Sequence, residues 1–239
     1  MEELTERQKN ILEIVIREYI ESALPISSKY IEEEYEMGVS PATIRGELYT
    51  LIERGYLYQP HTSSGRVPTD KGYRFFVDLL NEKEIKRLEN KVIRDVRKMQ
   101  QEVEGEVGFM REFTRFLAHT SSNLTLSYFP RENILLKEGW REALRDPEFD
   151  DAQRVRDFMG MINDFEENID LFFSNNRPEC VRIYIGNEAP FSKKHDFSIL
   201  VASCKILKKK GMVAIMGPKR MAYDKNIQLM GSIIKMLEE

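Results

Sequence analysis

Residues 39–73, VSPATIRGELYTLIERGYLYQPHTSSGRVPTDKGY, carry a dense set of helix start and stop signals that constrains their local structure. Ser40 is a favourable N-cap, and Pro41 occupies the first helical position, where a missing N–H costs nothing. Gly55 can end the helix in the left-handed conformation. These signals predict a helix over residues 41–54, followed by a strand over 56–59 and a polar turn that contains a glycine.

The chain of 239 residues is long enough for two domains, and it is 41% hydrophobic. No segment approaches the roughly 20 apolar residues that a membrane span requires, and the first ten residues, MEELTERQKN, do not resemble a signal peptide. We therefore expect a cytoplasmic protein with no membrane partner.

Residues that could support catalysis or metal binding are scattered along the chain. His61, His119 and His195 fall in three separate segments, and Cys180 and Cys204 suit neither a disulfide framework nor a metal motif. No phosphate-binding glycine loop or nucleophile motif is present. We expect no catalytic residue, no metal and no cofactor, and we expect both cysteines to be small core residues.

The net charge of −4 and the pI near 5.7 seem at first to argue against a nucleic-acid partner. Affinity for phosphate depends on where the positive side chains lie, however, and not on their sum. Acidic residues cluster at 32–34 and at the N-terminus, whereas Arg45, Arg54, Arg66, Lys71 and Arg74 fall together. The candidate DNA-binding face is therefore locally basic.

Two helices are predicted before residue 39 and one after residue 68. Thr5 and Gln8 form a capping-box pair ahead of an amphipathic segment that ends near Ser22, and a second short helix ends near Tyr35. Thr69 can cap a further helix that begins DKGYRFF. The order helix, helix, helix, strand, hairpin tip is that of a winged helix-turn-helix DNA-binding domain, which we assign to residues 1–81.

The predicted DNA-binding residues are small, hydrogen-bonding or basic, which suits base edges in the major groove and phosphates beside it. On the helix they are Ser40, Ala42, Thr43, Arg45, Gly46 and Tyr49, and around the turn they are His61, Thr62, Ser63, Ser64, Gly65, Arg66 and Lys71. Each piece alone also fits an ordinary capped helix or a solvated turn. Together they favour binding to double-stranded DNA, and a winged-helix adaptor for another protein is the alternative.

Residues 82–122 are charged and contain few helix breakers, which predicts a long linker helix. Apolar residues recur at three- and four-residue spacing, as in a coiled-coil seam. They are Ile85, Leu88, Val92, Val96, Met99 and Val103. We interpret this seam as a homodimer interface, with Gly105 and Gly108 able to bend or split the helix. A helix packed along its own domain is the alternative.

Residues 123–239 are predicted to form a shortened regulatory domain with an antiparallel sheet. A helix is expected from about residue 147 to Phe173, and the segments CVRIYIG, FSILVASCKIL and MVAIMG are strand-like. A final helix follows Asp224 or Asn226. The fold class is therefore α+β.

Several segments resemble the family of the heat-inducible transcription repressor HrcA: VSPATIRGEL, GYLYQPHTSSGRVPTDKGYRFFVDLL, PEFDD, VRIYIGNE and GPKRMAYDKNI. The resemblance implies a dimeric repressor with a winged-helix domain and a GAF-like domain, which binds an inverted-repeat operator called CIRCE upstream of chaperone operons. It also implies that activity depends on the GroE chaperonin. A ligand-responsive regulator of other genes is a second interpretation.

The chain departs from the family pattern in two places. Where the family usually has Asn in the reading helix, this chain has Gly46, which cannot make the amide contact to adenine. The chain is also about a hundred residues shorter, and we expect the missing piece, including the segment that serves dimerisation in the family, near residues 128–133.

Overall fold

A computed structural model describes residues 3–62, 64–82, 90–175, 181–207 and 209–238. The chain forms two compact units, Met1–Lys83 and Glu84–Glu239. Each has its own buried core, and helices and antiparallel sheet together make the protein α+β.

The first unit places three helices ahead of a small antiparallel hairpin and one helix behind it. Its elements are α1 (Glu6–Ser22), α2 (Ser28–Glu34), α3 (Pro41–Glu53), β1 (Leu57–Tyr58), β2 (Val67–Pro68) and α4 (Asp70–Glu82). In the hairpin, Leu57 lies opposite Pro68 and Tyr58 opposite Val67. Outside the named strands, Ile26 forms a further antiparallel bridge with Arg66.

The predicted capping signals are present in this unit. Thr5 and Gln8 form the capping box of α1, and the Ser40 hydroxyl accepts a hydrogen bond from the Thr43 backbone N–H at the start of α3. Gly55 follows α3 with φ +73°, the left-handed conformation that favours glycine. The helices bury one apolar face each, and the fully or almost fully buried residues include Ile11, Leu12, Val15, Ile16, Ile31, Ile44, Leu48, Leu51, Phe76 and Val77.

The second unit is built on a five-stranded antiparallel sheet with the strand order β4-β3-β7-β6-β5. Its strands are β3 (Leu124–Phe129), β4 (Ile134–Glu138), β5 (Arg182–Ile185), β6 (Phe197–Ile206) and β7 (Lys209–Pro218). Its helices are α5 (Asn90–Glu102), α6 (Glu106–Ser121), α7 (Trp140–Ala143), α8 (Ala152–Glu167), α9 (Ile169–Asn175) and α10 (Tyr223–Glu238). Short 3-10 helices span Pro147–Asp150 and Gly186–Glu188.

Helices cover both faces of this sheet. An apolar cluster joins Phe158, Ile162 and Phe165 of α8 to Leu126 and Ile199 of the sheet. On the other face α6 contacts β3 and β4, and α10 contacts β6. Successive side chains of β3 point to opposite faces of the sheet. Leu126 belongs to the cluster around α8, whereas the Ser127 hydroxyl accepts a hydrogen bond from Thr114 of α6 at 2.8 Å.

The described part of the segment expected to be a linker helix is split at Gly105, as the sequence allowed, into two helices that belong to the second unit. The chain leaves the helical conformation after Glu102, and α6 begins after Gly105, whose φ is +79°. The connection allows α5 to turn back and contact both α6 and α10. Part of the apolar face of α5 therefore packs within the chain, because Val96 on that face is completely buried.

The helix expected over residues 147–173 is divided into three pieces. Asp151 caps α8 by accepting a hydrogen bond from the Gln153 backbone N–H, and this cap follows the 3-10 turn of residues 147–150. At the other end, the Asn168 side chain donates to the Asp164 carbonyl oxygen at 2.8 Å, and α9 starts at the next residue. Side-chain hydrogen bonds to the backbone thus favour helix ends at both places.

Two motifs that are distant in the sequence meet in the second unit. The Arg220 side chain, which is 8% exposed, pairs with Asp146 and lies 2.9 Å from the Glu148 carboxylate. Arg220 belongs to the segment GPKRMAYD and Glu148 to the segment PEFDD. Burial raises the pKa of the Glu148 carboxyl, and the charge of Arg220 opposes that effect. This ion pair joins the end of β7 to the start of α8.

One of the two cysteines can be located. Cys204 is buried in β6, as predicted. Cys180 lies outside the described residues.

Candidate nucleic-acid interface

The orientation of α3 is fixed by contacts with α1. Glu47 accepts a hydrogen bond from the Gln8 side chain at 2.9 Å and pairs with Arg7 at 3.4 Å. Ile44 and Leu48 are buried in the core of the first unit. The opposite side of the helix is consequently directed away from the core.

That outward side carries a stripe of predicted DNA-binding residues at helical spacing. Ala42, Arg45, Gly46 and Tyr49 are all exposed, and they follow one another by three, one and three residues, which places them on one face. Tyr49 is 63% exposed. Arg45 makes no ion pair with any residue in the described ranges, so its guanidinium is available to an external acceptor.

Ser40 and Thr43 are engaged with each other at the start of α3. Their hydroxyl oxygens are 3.0 Å apart, and the Ser40 hydroxyl also accepts from the Thr43 backbone N–H. A contact of either hydroxyl with DNA would therefore replace these capping hydrogen bonds or form in addition to them. Ser40 is exposed and Thr43 is partly exposed, so both remain accessible.

The tip of the hairpin between β1 and β2 is held by its own side chains. The Gln59 amide donates to the carbonyl oxygens of Thr62 and Ser64, each at 2.9 Å. The Ser64 hydroxyl accepts from the His61 N–H at 2.9 Å and donates to the His61 carbonyl at 2.7 Å. His61 and Thr62 remain exposed, and Ser63 lies outside the described residues. A tip ordered in this way loses little further entropy on binding.

Gly65 allows the hairpin to approach the connection between α1 and α2. A Cβ atom at this position would lie 2.3 Å from the Pro25 carbonyl oxygen, a distance that no side chain tolerates. The close approach lets Ile26 and Arg66 exchange two backbone hydrogen bonds, of 3.0 and 2.7 Å. The role of Gly65 is therefore backbone packing, and it places Arg66 at the base of the hairpin.

Arg66 presents a partly desolvated guanidinium. Its Nε is buried and has no hydrogen-bond partner among the described atoms, and desolvation lowers the pKa of the side chain. Arginine nevertheless stays protonated, because its pKa remains far above neutral. Because Nε itself is buried, an external anion such as a phosphate would have to pair with the exposed part of the side chain.

Lys71 has a structural contact in addition to its predicted contact with DNA. Its ammonium group donates to the Arg54 carbonyl oxygen at 2.7 Å and lies 4.1 Å from the centre of the Tyr56 ring. A cation at the last carbonyls of a helix stabilises that end. Lys71 therefore supports the end of α3 while its side chain remains exposed.

Three residues that position this surface, Gln59, Thr69 and Gly72, are not among the predicted DNA-binding residues, and of these only Thr69 was given a role, as a helix cap. The Thr69 hydroxyl donates to Gly55 O at 2.7 Å and accepts from the Gly72 N–H, and a Cβ at Gly72 would lie 2.4 Å from Tyr56 O. Gln59 holds the hairpin tip. The signal that could have revealed Gln59 is an amide directly before a turn rich in hydroxyls.

The described residues of the predicted dimer seam differ in their burial. Val96 is buried within the subunit, Val92, Met99 and Val103 are partly exposed, and Ile85 and Leu88 lie outside the described residues. Since a buried side chain cannot contact a second copy without opening the fold, Val96 is not available for dimerisation.

Metal-binding clusters and membrane-spanning helices are both lacking in the described part of the chain. No three acidic, histidine or cysteine side chains there converge to hold a metal ion. Over the same ranges, no helix is both long and apolar enough to cross a membrane.

Comparison with known proteins gives a consistent result. The family model described as "HrcA protein C terminal domain" matches residues 69–227. The protein named heat-inducible transcription repressor HrcA of Chlorobium phaeobacteroides strain BS1 is 24% identical over 339 aligned positions, which cover 95% of each chain. The protein of the same name from Chlorobium chlorochromatii strain CaD3 is 51% identical over 96 residues, which are 38% of this chain and 28% of the relative.

The 339 aligned positions exceed the 239 residues of this chain, so at least 100 positions of the first relative have no counterpart here (339 − 239 = 100). The described hairpin between β3 and β4 turns within residues 130–133, where the sequence analysis expects the shortening. A crystal structure described as that of a hypothetical protein shares the fold, with a TM-score of 0.79, 20% identity and 98% coverage of both chains.

The relatives are named as transcription repressors and not as enzymes. Because the family model covers residues 69–227, about two-thirds of the sequence, the chain belongs to the HrcA family.

Proposed function

We propose that this chain is a transcription repressor of heat-shock genes that binds double-stranded DNA through a winged helix-turn-helix in its first unit. The observation that carries the proposal is the outward stripe on α3, in which Arg45 has no partner among the described residues. In a winged helix-turn-helix such a helix enters the major groove and reads base edges. A protein with this function would act in the cytoplasm.

The hairpin serves as the wing in this proposal. Arg66 contributes a partly desolvated charge without a hydrogen-bond partner at Nε among the described atoms, and the ordered tip offers exposed His61 and Thr62. Contacts from a wing to phosphate position the protein on the duplex without reading sequence. Recognition and positioning thus fall to two different elements of the same unit.

The two arginines provide the test. Arg45→Ala is expected to reduce affinity for the selected operator and to relax discrimination between bases, by about 1–3 kcal/mol. Arg66→Ala is expected to weaken binding to all sequences and to reduce the slope of log K against log salt by about one. Lys9→Ala, which removes a positive charge paired with Glu6 on α1, is the matched control. Equal losses on operator and random DNA for Arg45→Ala would contradict its assignment to base reading.

We further propose that a homodimer binds an inverted repeat of the CIRCE type, since a two-fold symmetric protein requires a symmetric operator. Selection of bound sequences from random DNA would test the repeat and its spacing together, and recovery of single, unrepeated sites would refute the dimeric mode. We place the dimer interface on α5 and on the residues before it, and we exclude the buried Val96 from it. Met99→Lys should then give monomers by sedimentation equilibrium, whereas the exposed substitution Gln100→Lys should not.

Dependence on the GroE chaperonin is part of the same proposal. Addition of GroE to a partly inactive preparation is expected to raise the fraction of chains that bind the operator. A fraction that is unchanged at saturating GroE would argue against it.

A further inference from the structure

A cavity of about 250 Å³ lies in the second unit, where α9, β5 and the segment after the second 3-10 helix meet. Its lining residues are Asn168, Leu171, Phe172, Tyr184, Pro190 and Phe191. None of them is charged, and three are aromatic. No residue of the DNA-binding surface takes part, so the cavity needs a separate explanation.

The aromatic rings form a rigid wall. The Phe172 ring meets Phe191 edge-to-face, with centroids 4.7 Å apart and an interplanar angle of 89°. It meets Tyr184 at 5.5 Å and 87°. Edge-to-face packing is a favourable arrangement that fixes ring orientation.

The mouth and the polar groups of the cavity suggest a ligand rather than an unfilled part of the core. Leu171 is 62% exposed although it is a large apolar residue. The Tyr184 hydroxyl makes no hydrogen bond to any described residue, and Asn168 uses its amide nitrogen on Asp164 while its amide oxygen is left without a described donor. A few polar groups in an apolar cavity are typical of small-molecule sites, where they fix ligand orientation.

Size and charge restrict the class of ligand. An apolar cavity of about 150 Å³ accepts one benzene ring. The larger volume here has room for a fused two-ring molecule, and the uncharged lining disfavours an ionised one, because burial of an unpaired charge is costly. We propose that this cavity binds a small, neutral, planar aromatic molecule with one hydrogen-bonding group, which Tyr184 or Asn168 engages.

The test is calorimetric titration of the full chain with indole as the probe. One saturable site with a dissociation constant below about 1 mM is expected for a ligand of this size. Leu171→Trp, which fills the mouth, should abolish binding, whereas Leu144→Trp, at a residue that is 40% exposed and outside the lining, should not. Tyr184→Phe should weaken binding about threefold to tenfold, the value of one hydrogen bond.

Several outcomes would overturn the proposal. They are the absence of saturable binding to the wild-type chain, unchanged binding in Leu171→Trp, and unchanged binding in both Tyr184→Phe and Asn168→Leu. Benzoate serves as the charged comparison, and affinity equal to that of indole would refute the preference for a neutral ligand. Since Leu171 is largely exposed, its substitution is expected to preserve the far-ultraviolet circular dichroism spectrum, and this control separates a filled cavity from an unfolded chain.

Discussion

Substitution of Gly46 offers a sharp test, because it separates helix stability from DNA reading at one position. Gly46 lies inside α3, its φ is not positive, and a Cβ atom there would meet no atom within 4 Å. A glycine in such a place costs about 0.8–1.0 kcal/mol relative to alanine. Gly46→Ala should therefore stabilise the first unit by about that amount.

For a unit of this size, 1 kcal/mol corresponds to a rise of about 4–8 °C in the melting temperature. Scanning calorimetry of the full chain should show the rise in the transition of the first unit. No gain, or a loss, would refute the argument, since it would mean that the added methyl group meets an atom or that the backbone is not helical there.

Gly46→Asn then isolates the contact with DNA. Asparagine gains less helix propensity than alanine, but its amide can bond the N6 and N7 atoms of adenine, worth about 1–3 kcal/mol of discrimination against other bases. Selection from random DNA should recover an adenine preference in Gly46→Asn that is lacking in both the wild type and Gly46→Ala. Identical preferences in all three chains would contradict the proposed position of residue 46 at the bases.

Three further substitutions test packing. Gly65→Ala should lower stability by about 1–3 kcal/mol in urea denaturation, because its methyl group would overlap Pro25 O at 2.3 Å; a neutral effect would refute the close approach. Thr69→Ala should cost about 1 kcal/mol through loss of the cap on α4, and Thr69→Ser should restore most of it. Arg220→Met should cost about 3 kcal/mol at pH 7, since it leaves Glu148 without its cation. Burial raises the pKa of the Glu148 carboxyl above its ordinary value, so the folded chain holds this proton to a higher pH than the unfolded chain does. Ionisation of Glu148 therefore lowers the free energy of unfolding as the pH rises from the unfolded-state pKa to the folded-state pKa. The deficit of Arg220→Met should therefore shrink at pH 5, and a deficit independent of pH would assign the loss to packing.

The first unit could be predicted closely because its signals are local. Thr5, Ser40 and Gly55 act within a few residues of themselves, and each is found in the predicted role. The positions of α1 and α3 follow from these caps. The burial of Ile44 and Leu48 then follows from helical periodicity.

The second unit was harder to predict because its decisive contacts are distant in the sequence. The sheet places β3 beside β7, so that Leu126 lies opposite Ala214, and no local signal encodes that pairing. For the same reason, the sequence predicts no strand at the positions of β3 and β4. Likewise, the heptad-like spacing around Val96 fits a partner chain and an intramolecular neighbour equally well. In the structure, Val96 is buried within the chain, while Val92, Met99 and Val103 remain partly exposed.

Some features of the candidate DNA-binding surface could not be read from residue type. Lys71 carries the charge expected of a phosphate contact, yet its partner in the chain is the Arg54 carbonyl oxygen. Gly65 is predicted to lie at this surface, and the structure shows in addition that a side chain there would overlap the Pro25 backbone. Composition can place a residue near a surface, but only the fold shows which atoms it already satisfies.

The bridge between Ile26 and Arg66 has a mechanical consequence. Two backbone hydrogen bonds tie the base of the hairpin to the connection between α1 and α2, so one segment cannot shift relative to the other without breaking them. Leu24, which is 66% exposed, lies two residues before Ile26 on the same connection. A displacement of this connection therefore reaches Arg66 through the two backbone hydrogen bonds.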